Sequence, residues 1–120
     1  MLSGVGPIFQ QLADRITDEI MAGTFPEESS VPSTNEYAVF FQISPITAAK
    51  AVNVLVEEGV LYKKRGIGMF VASGARELLQ ERRRTEFRER YIGPLVREAQ
   101  LLGIHRSEVN TMIDQEAGHD

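Results

Sequence analysis

The stretch Ser33-Thr34-Asn35-Glu36-Tyr37-Ala38-Val39-Phe40-Phe41-Gln42-Ile43-Ser44-Pro45-Ile46-Thr47-Ala48-Ala49-Lys50 contains two helix starts in close succession. Ser33 followed at the third position by Glu36 is a capping box: the hydroxyl caps the third amide while the carboxylate reaches back to the Ser33 amide. It predicts a short helix over about Thr34 to Phe41 that buries Tyr37, Phe40 and Phe41. Ser44 at the N-cap with Pro45 at the first helical position opens a second helix, which runs to about Glu58 and stops at Gly59. Between the two lie Gln42 and Ile43. So tight a turn before a hydroxyl-capped helix is the helix-turn-helix pattern.

On a helical wheel Ala48, Val52, Leu55 and Val56 share one side of the second helix, and Ile46, Thr47, Lys50 and Asn53 share the other. A solvated polar face seldom needs an isoleucine near its first turn. Upstream, Ile8, Leu12, Ile16 and Ile20 recur every four residues, with Phe9, Ala13 and Met21 beside them, which predicts a helix from Pro7 to Gly23. The segment Thr24 to Val31 reads as a polar loop. Downstream of Gly59 the period changes from 3.6 to 2. Val60-Leu61-Tyr62-Lys63 and Met69-Phe70-Val71 read as strands around a tip, Lys64-Arg65-Gly66-Ile67-Gly68. Three helices followed by a basic-tipped hairpin make a winged helix-turn-helix. The remainder is helical in pattern. Gly93-Pro94 predicts a kink or break, because an interior proline loses a backbone bond and clashes with the previous turn. Gly103 ends that helix, and Ser107 to about Glu116 forms a last one with Val109, Met112 and Ile113 inward.

The chain has 120 residues, enough for one domain with an appendage, and no cysteine, which excludes disulfides and thiolate chemistry. Net charge is −4, from 13 Lys+Arg and 17 Asp+Glu, which taken globally argues weakly against a nucleic-acid binder. The distribution says more: Lys63, Lys64 and Arg65 are contiguous at the hairpin, and every basic residue after residue 74 is an arginine. The first seven residues, Met1 to Pro7, show neither a basic nor an apolar region of a signal peptide, and no apolar run is long enough to span a membrane, so a cytoplasmic protein is expected. His105 and His119 are the only histidines; no His-Glu-x-x-His, Gly-x-Ser-x-Gly or P-loop pattern occurs. Neither an enzyme nor a metal or other cofactor is expected.

Pro7 to Leu12, Val31 to Ala38 and Glu58 to Val71, in that order and spacing, resemble the GntR-type winged-helix domain of bacterial transcription regulators. The phrase Pro94-Leu95-Val96-Arg97-Glu98-Ala99-Gln100-Leu101-Leu102-Gly103 is similar to the short helical tail of the YtrA subfamily. The resemblance implies a homodimeric repressor on a palindromic double-stranded DNA operator. It also implies that Ser33, Thr34 and Asn35 face DNA, although the family frequently has arginine where Asn35 stands. Two further arginines common in the family fall here on Pro45 and Ala49, whereas Thr47 and Gly66 match. With the commonest bidentate guanine readers absent, the site recognised cannot be borrowed from the arginine-bearing members.

The residues themselves point the same way. Ser44 and Thr47 can bond a phosphate or a base edge at a helix N-terminus, Ile46 can pack on a thymine methyl, and Lys50 can neutralise a phosphate. The bland alternative is that Ser44 only caps, Ile46 packs on protein and Lys50 is solvated. Lys63, Lys64, Arg65 and Gly66 can lie against the backbone or enter the minor groove, or form a merely solvated turn. The stripe Phe87, Tyr91, Leu95, Ala99 and Leu102 predicts a seam with a second chain, and Arg82-Arg83-Arg84, interleaved with glutamates, reads as a solvated or dimer-crossing face. The fold class is therefore mainly α with a small β-hairpin: a winged helix-turn-helix domain over residues 5–74, then a short all-helical dimerisation region over residues 75–120. Two other readings stand beside it: a winged helix used for protein–protein assembly without specific DNA binding, and the same regulator gated by an unidentified small-molecule effector at the tail or dimer interface.

Overall fold

A computed structural model of the chain describes residue 2 and residues 4–118; His119 lies outside the described residues. The elements are α1 (Ile8–Met21), β1 (Ser30–Val31), α2 (Thr34–Phe41), α3 (Pro45–Glu57), β2 (Leu61–Lys64), β3 (Gly68–Val71), α4 (Ala75–Phe87), a π-helical turn (Arg88–Ile92), α5 (Gly93–Leu102) and α6 (Arg106–Ala117). They form two compact units that divide between Glu81 and Arg82, inside α4.

In the first unit α3 packs against both α1 and α2. Its buried face is Ala48, Ala51, Val52 and Leu55, with Val56 half-buried. The two alanines, both without exposed surface, let the neighbouring backbones come close. From α1 the core takes Leu12, Ala13, Ile16 and Ile20, the four-residue stripe; Ile8 remains exposed at its start. Val60, Leu61 and Val71 close the core from the sheet, and Ala75 and Leu79 join it from the first turns of α4. The helix ends follow the sequence signals. The Ser33 Oγ accepts from the Glu36 N–H at 3.1 Å while Glu36 Oε1 accepts from the Ser33 N–H at 2.9 Å. Helix α2 ends on Gln42 in the left-handed region (φ 56°), and the Ile43 N–H bonds the Ala38 carbonyl at 3.0 Å. That closure reverses the chain into α3 within two residues.

Three expectations need correction, and a fourth is refined. Phe40 is 59% exposed, not buried. Helix α2 buries Tyr37, Ala38 and Phe41, an arc of about 100°, and Phe40 falls about 60° outside it. The loop Thr24 to Val31 contains a strand: β1 pairs antiparallel with β3 (Ser30↔Phe70, Val31↔Met69), so the hairpin is part of a three-stranded sheet in the order β1-β3-β2. A two-residue strand has no period to reveal it. At Gly93-Pro94, where a kink or break is expected, the helical path continues through the π-turn that precedes it. The Gly93 N–H bonds the Arg88 carbonyl, five residues back, and this wider turn brings Pro94 in at the second position of α5, where its missing N–H leaves no gap. Finally, Met112 and Ile113 of α6 are half exposed rather than inward, because the second unit has no buried residue among those described for them to pack upon.

The core makes one direct prediction. Leu55→Ala, at a site 1% exposed, should lower unfolding stability by about 2–5 kcal/mol in a urea titration, since a large-to-small change there leaves a cavity.

Candidate nucleic-acid interface

Two exposed, capped helix N-termini and one basic hairpin carry the candidate side chains. At the start of α3 the Ser44 Oγ accepts from the Thr47 N–H at 3.1 Å, and its hydroxyl donates to Thr47 Oγ1 at 2.8 Å. Ser44 is thus spent as a cap. Thr47, accepting at its oxygen, keeps its own O–H to donate outward. Ile46, on the same turn, is 83% exposed. Lys50 is exposed one turn on, and its Nζ stands 4.1 Å from the centroid of the Phe9 ring of α1. The ring face attracts the ammonium and holds it near the bare side of α3.

At the start of α2, Ser33 and Asn35 are exposed and Thr34 is half-buried. The capping box spends the Glu36 amide and the Ser33 amide, and the exposed Asn35 side chain takes no part in it. The Ser33 N–H, donating to Glu36, holds that carboxyl below its ordinary pKa.

In the wing, Lys64 pairs with Gly68 and the loop proper is Arg65-Gly66-Ile67. The Ile67 N–H bonds the Lys64 carbonyl at 2.9 Å, and Gly66 sits at the third position of that turn with φ 77°, a conformation that favours glycine. Lys63, Lys64 and Arg65 are all exposed. Lys64 Nζ lies 4.2 Å from the Phe70 centroid and 5.9 Å from that of Tyr62, and the two rings stack at 5.9 Å across β2 and β3. The Tyr62 hydroxyl donates to Glu28 Oε2 at 2.6 Å, which ties the wing to the segment before β1 and raises the phenol's pKa. Phe9, Tyr62 and Phe70 were read from the sequence only as helix or strand residues, and Glu28 only as part of a loop; the available signal for their role was an aromatic residue two positions from a lysine on the same strand face, Tyr62 and Lys64.

The predicted seam lies on the other unit. Phe87 and Tyr91 are about half exposed with rings 5.6 Å apart, Leu95 and Leu102 are exposed, and Ala99 is half-buried. His105 is the N-cap of α6, its N–H donating to Glu108 Oε1 at 3.3 Å. Among the described residues no three His, Cys, Asp or Glu side chains gather as a metal-binding group, and no helix is long and apolar enough to cross a membrane.

Residues 8–71 match the family described as bacterial regulatory proteins, gntR family. Among curated relatives, the uncharacterized HTH-type transcriptional regulator YurK of Bacillus subtilis is 39% identical over 85 residues, which cover 69% of this chain and 35% of YurK. The chain thus spans about a third of that relative. The HTH-type transcriptional repressor YtrA of Bacillus subtilis is 25% identical over 91% of this chain and 83% of its own. Among solved structures, a transcriptional regulator of the GntR family from Bacteroides thetaiotaomicron is similar with TM-score 0.78 and 38% identity, covering 92% of this chain and 96% of that one. The AraR DNA-binding domain in complex with operator ORR3 is similar over 60% of this chain and 93% of its own, with TM-score 0.53 and 31% identity.

The capping box has a pH signature. The Glu36 pKa is lowered by folding, so its ionised form stabilises the fold above the ordinary carboxylate range, and that contribution disappears as pH falls through the folded-state value. Glu36→Gln should therefore melt below the wild type at pH 7, with the gap closing on acidification toward pH 3. A gap that stays constant would assign the effect to shape rather than charge.

Proposed function

The chain belongs to the GntR family of bacterial regulatory proteins, and on that premise we propose that it is a DNA-binding transcriptional regulator, a homodimeric repressor of a palindromic operator acting in the cytoplasm. Residues 5–74 bind DNA and residues 75–120 pair the protomers. The observation that carries the reading is the bare face of α3: one side is fully buried, while the other leaves Ile46 in solvent beside a free Thr47 hydroxyl donor and the Lys50 ammonium. An apolar methyl-bearing side chain next to a donor and a cation matches what the major groove offers: a thymine methyl, base-edge or phosphate acceptors, and backbone charge. In this reading Ser44 acts through the cap. Ser33, Thr34 and Asn35 meet the phosphate backbone at the start of α2. Lys63, Lys64 and Arg65 lie along the backbone or in the minor groove, with Gly66 allowing the main chain to approach closely. Occupying the operator then excludes the transcription machinery.

The second unit's surface supports the dimer. Among the described residues that unit buries none, while Tyr91, Ile92, Val96, Leu101 and Leu102 stand exposed along the π-turn and α5. A second copy of the same face supplies both cover and the two-fold symmetry that a palindrome requires.

Two measurements test this. Binding to the DNA upstream of the chain's own gene, with unrelated competitor present, should be tight and should weaken with salt at a slope in log K of about −4 to −5, for about four to six phosphates neutralised per dimer. Lys64→Glu with Arg65→Glu should weaken binding to every sequence; unchanged affinity would remove the wing from the interface. Tyr91→Arg should shift the solution molar mass from dimer to monomer by light scattering, and a dimeric mass would remove Tyr91 from the seam.

A further inference from the structure

Within the first unit, α2, the second half of α1 and the loop at Phe25 enclose a cleft of about 640 Å³, a size typical of small-molecule sites. Its walls are chiefly apolar: Phe25, Pro32, Tyr37, Val39, Phe40 and Phe41. None of the roles assigned so far uses it. Two features mark it as more than a surface dimple. Val39 and Phe40, consecutive on α2, remain 80% and 59% exposed at its edge, a position where a solvated helix face would carry polar side chains. And Tyr37, a lining residue only 5% exposed, carries a hydroxyl with no accessible surface and no hydrogen-bond partner among the described groups. Buried polar groups in folded proteins are as a rule satisfied, so an orphan at a cavity wall points to a missing partner.

The charge around the cleft selects the partner's class. Arg15 donates to Glu19 Oε1 at 2.7 Å and its guanidinium lies over the Phe41 ring at 5.5 Å, so it is already matched by a carboxylate and a π face. Glu36, the other charged wall residue, is held by the Ser33 N–H. The lining thus offers no spare cation to an acid. Its free donor is a phenol O–H that burial and the charges of Glu19 and Glu36 keep protonated. We propose that this cleft is an effector site for a neutral, mainly apolar small molecule carrying a carbonyl, ether or hydroxyl oxygen that accepts the Tyr37 hydrogen bond. Phe40, edge-on to Phe41 at 4.8 Å and largely in solvent, is the wall that turns aside to admit it.

The regulatory part of this inference rests on the DNA-binding reading above. Asn35 and Glu36 line the cleft and also form the first turn of α2, so a ligand that shifts this turn changes what it presents to DNA. By linkage, operator DNA alters the ligand's affinity by the same factor. The test uses the full chain and two fluorinated probes followed by ¹⁹F NMR: 4′-fluoroacetophenone, which has the acceptor, and fluorobenzene, which lacks it. The ketone should bind the wild type about fivefold more tightly than Tyr37→Phe, the worth of one hydrogen bond, while fluorobenzene binds both alike. Val39→Glu, at an exposed position that leaves the core intact, should weaken both probes. Failure of the ketone to bind the wild type, or equal affinity for the wild type and Tyr37→Phe, overturns the site. A DNA titration with and without the ketone then reads the coupling: a changed affinity in the wild type and none in Tyr37→Phe supports the effector role, and an unchanged affinity at saturating ketone overturns it. Should no DNA bind in any arm, the regulator reading fails, while the NMR result still decides the cleft.

Discussion

Helix α3 has to be buried completely along one side and left bare along the other, and the rest of the first unit is arranged around that requirement. Ala48, Ala51, Val52 and Leu55 are all but inaccessible, and each large apolar side chain so buried is worth about 1.5–3 kcal/mol. Rotating the helix by one residue would forfeit several of these at once. The rotation is fixed at both ends: the Ser44 cap and Pro45 set the start, and the left-handed Gln42 sets how the chain arrives there. Helices α1 and α2 then have little choice of where to lie, since each has only its own apolar arc to offer. The bare side of α3, with Ile46, Thr47 and Lys50, is the geometric remainder of that packing.

A second layer of interactions governs charge. An exposed lysine is a poor instrument of recognition if its long stem wanders, and here two of them are placed by aromatic rings. Lys50 stands over Phe9, and Lys64 over Phe70 and Tyr62. Tyr62 is in turn tied to Glu28, 34 positions earlier, so the wing's orientation is referred to the strand that extends the sheet beyond the hairpin. The Glu28 N–H bonding the Val71 carbonyl at 2.8 Å strengthens the same tie from the main chain. A net acidic protein can therefore present cations where they matter, because local placement outweighs the global sum.

The second unit follows a different logic. Its helices are well formed, with Gly103 in the left-handed region closing α5, yet among the described residues they bury none. The π-turn adds one residue to the helical path ahead of Pro94 and so resets which side chains share a face on either side of it. Apolar side chains distributed on both flanks of such a turn suit a partner surface better than an internal stripe.

Cap and period signals act within one or two helical turns, and these were legible in the residues: the bounds of α2, the Ser44 start of α3, the four-residue stripe of α1 and the two longer strands are all written locally. So was the basic composition of the wing. What the sequence could not decide were matters of partnership across distance. Strand β1 exists only because β3 offers it an edge some forty positions later, Phe40 is left outside because eight residues of helix can bury only one arc, and Ala51 is core because α1 and α2 approach closely there. Pro94 reads as a kink or break on local grounds, and the form the chain takes there, an i to i+5 bond just upstream, is visible only in the structure. The Tyr37 hydroxyl, an ordinary aromatic core position in the sequence, becomes an unmatched donor beside a cleft only when α1 and the Phe25 loop are in place. Local order is set by side chains a few residues apart, whereas burial and hydrogen-bond satisfaction depend on which distant surface arrives, and that is fixed by the tertiary structure alone.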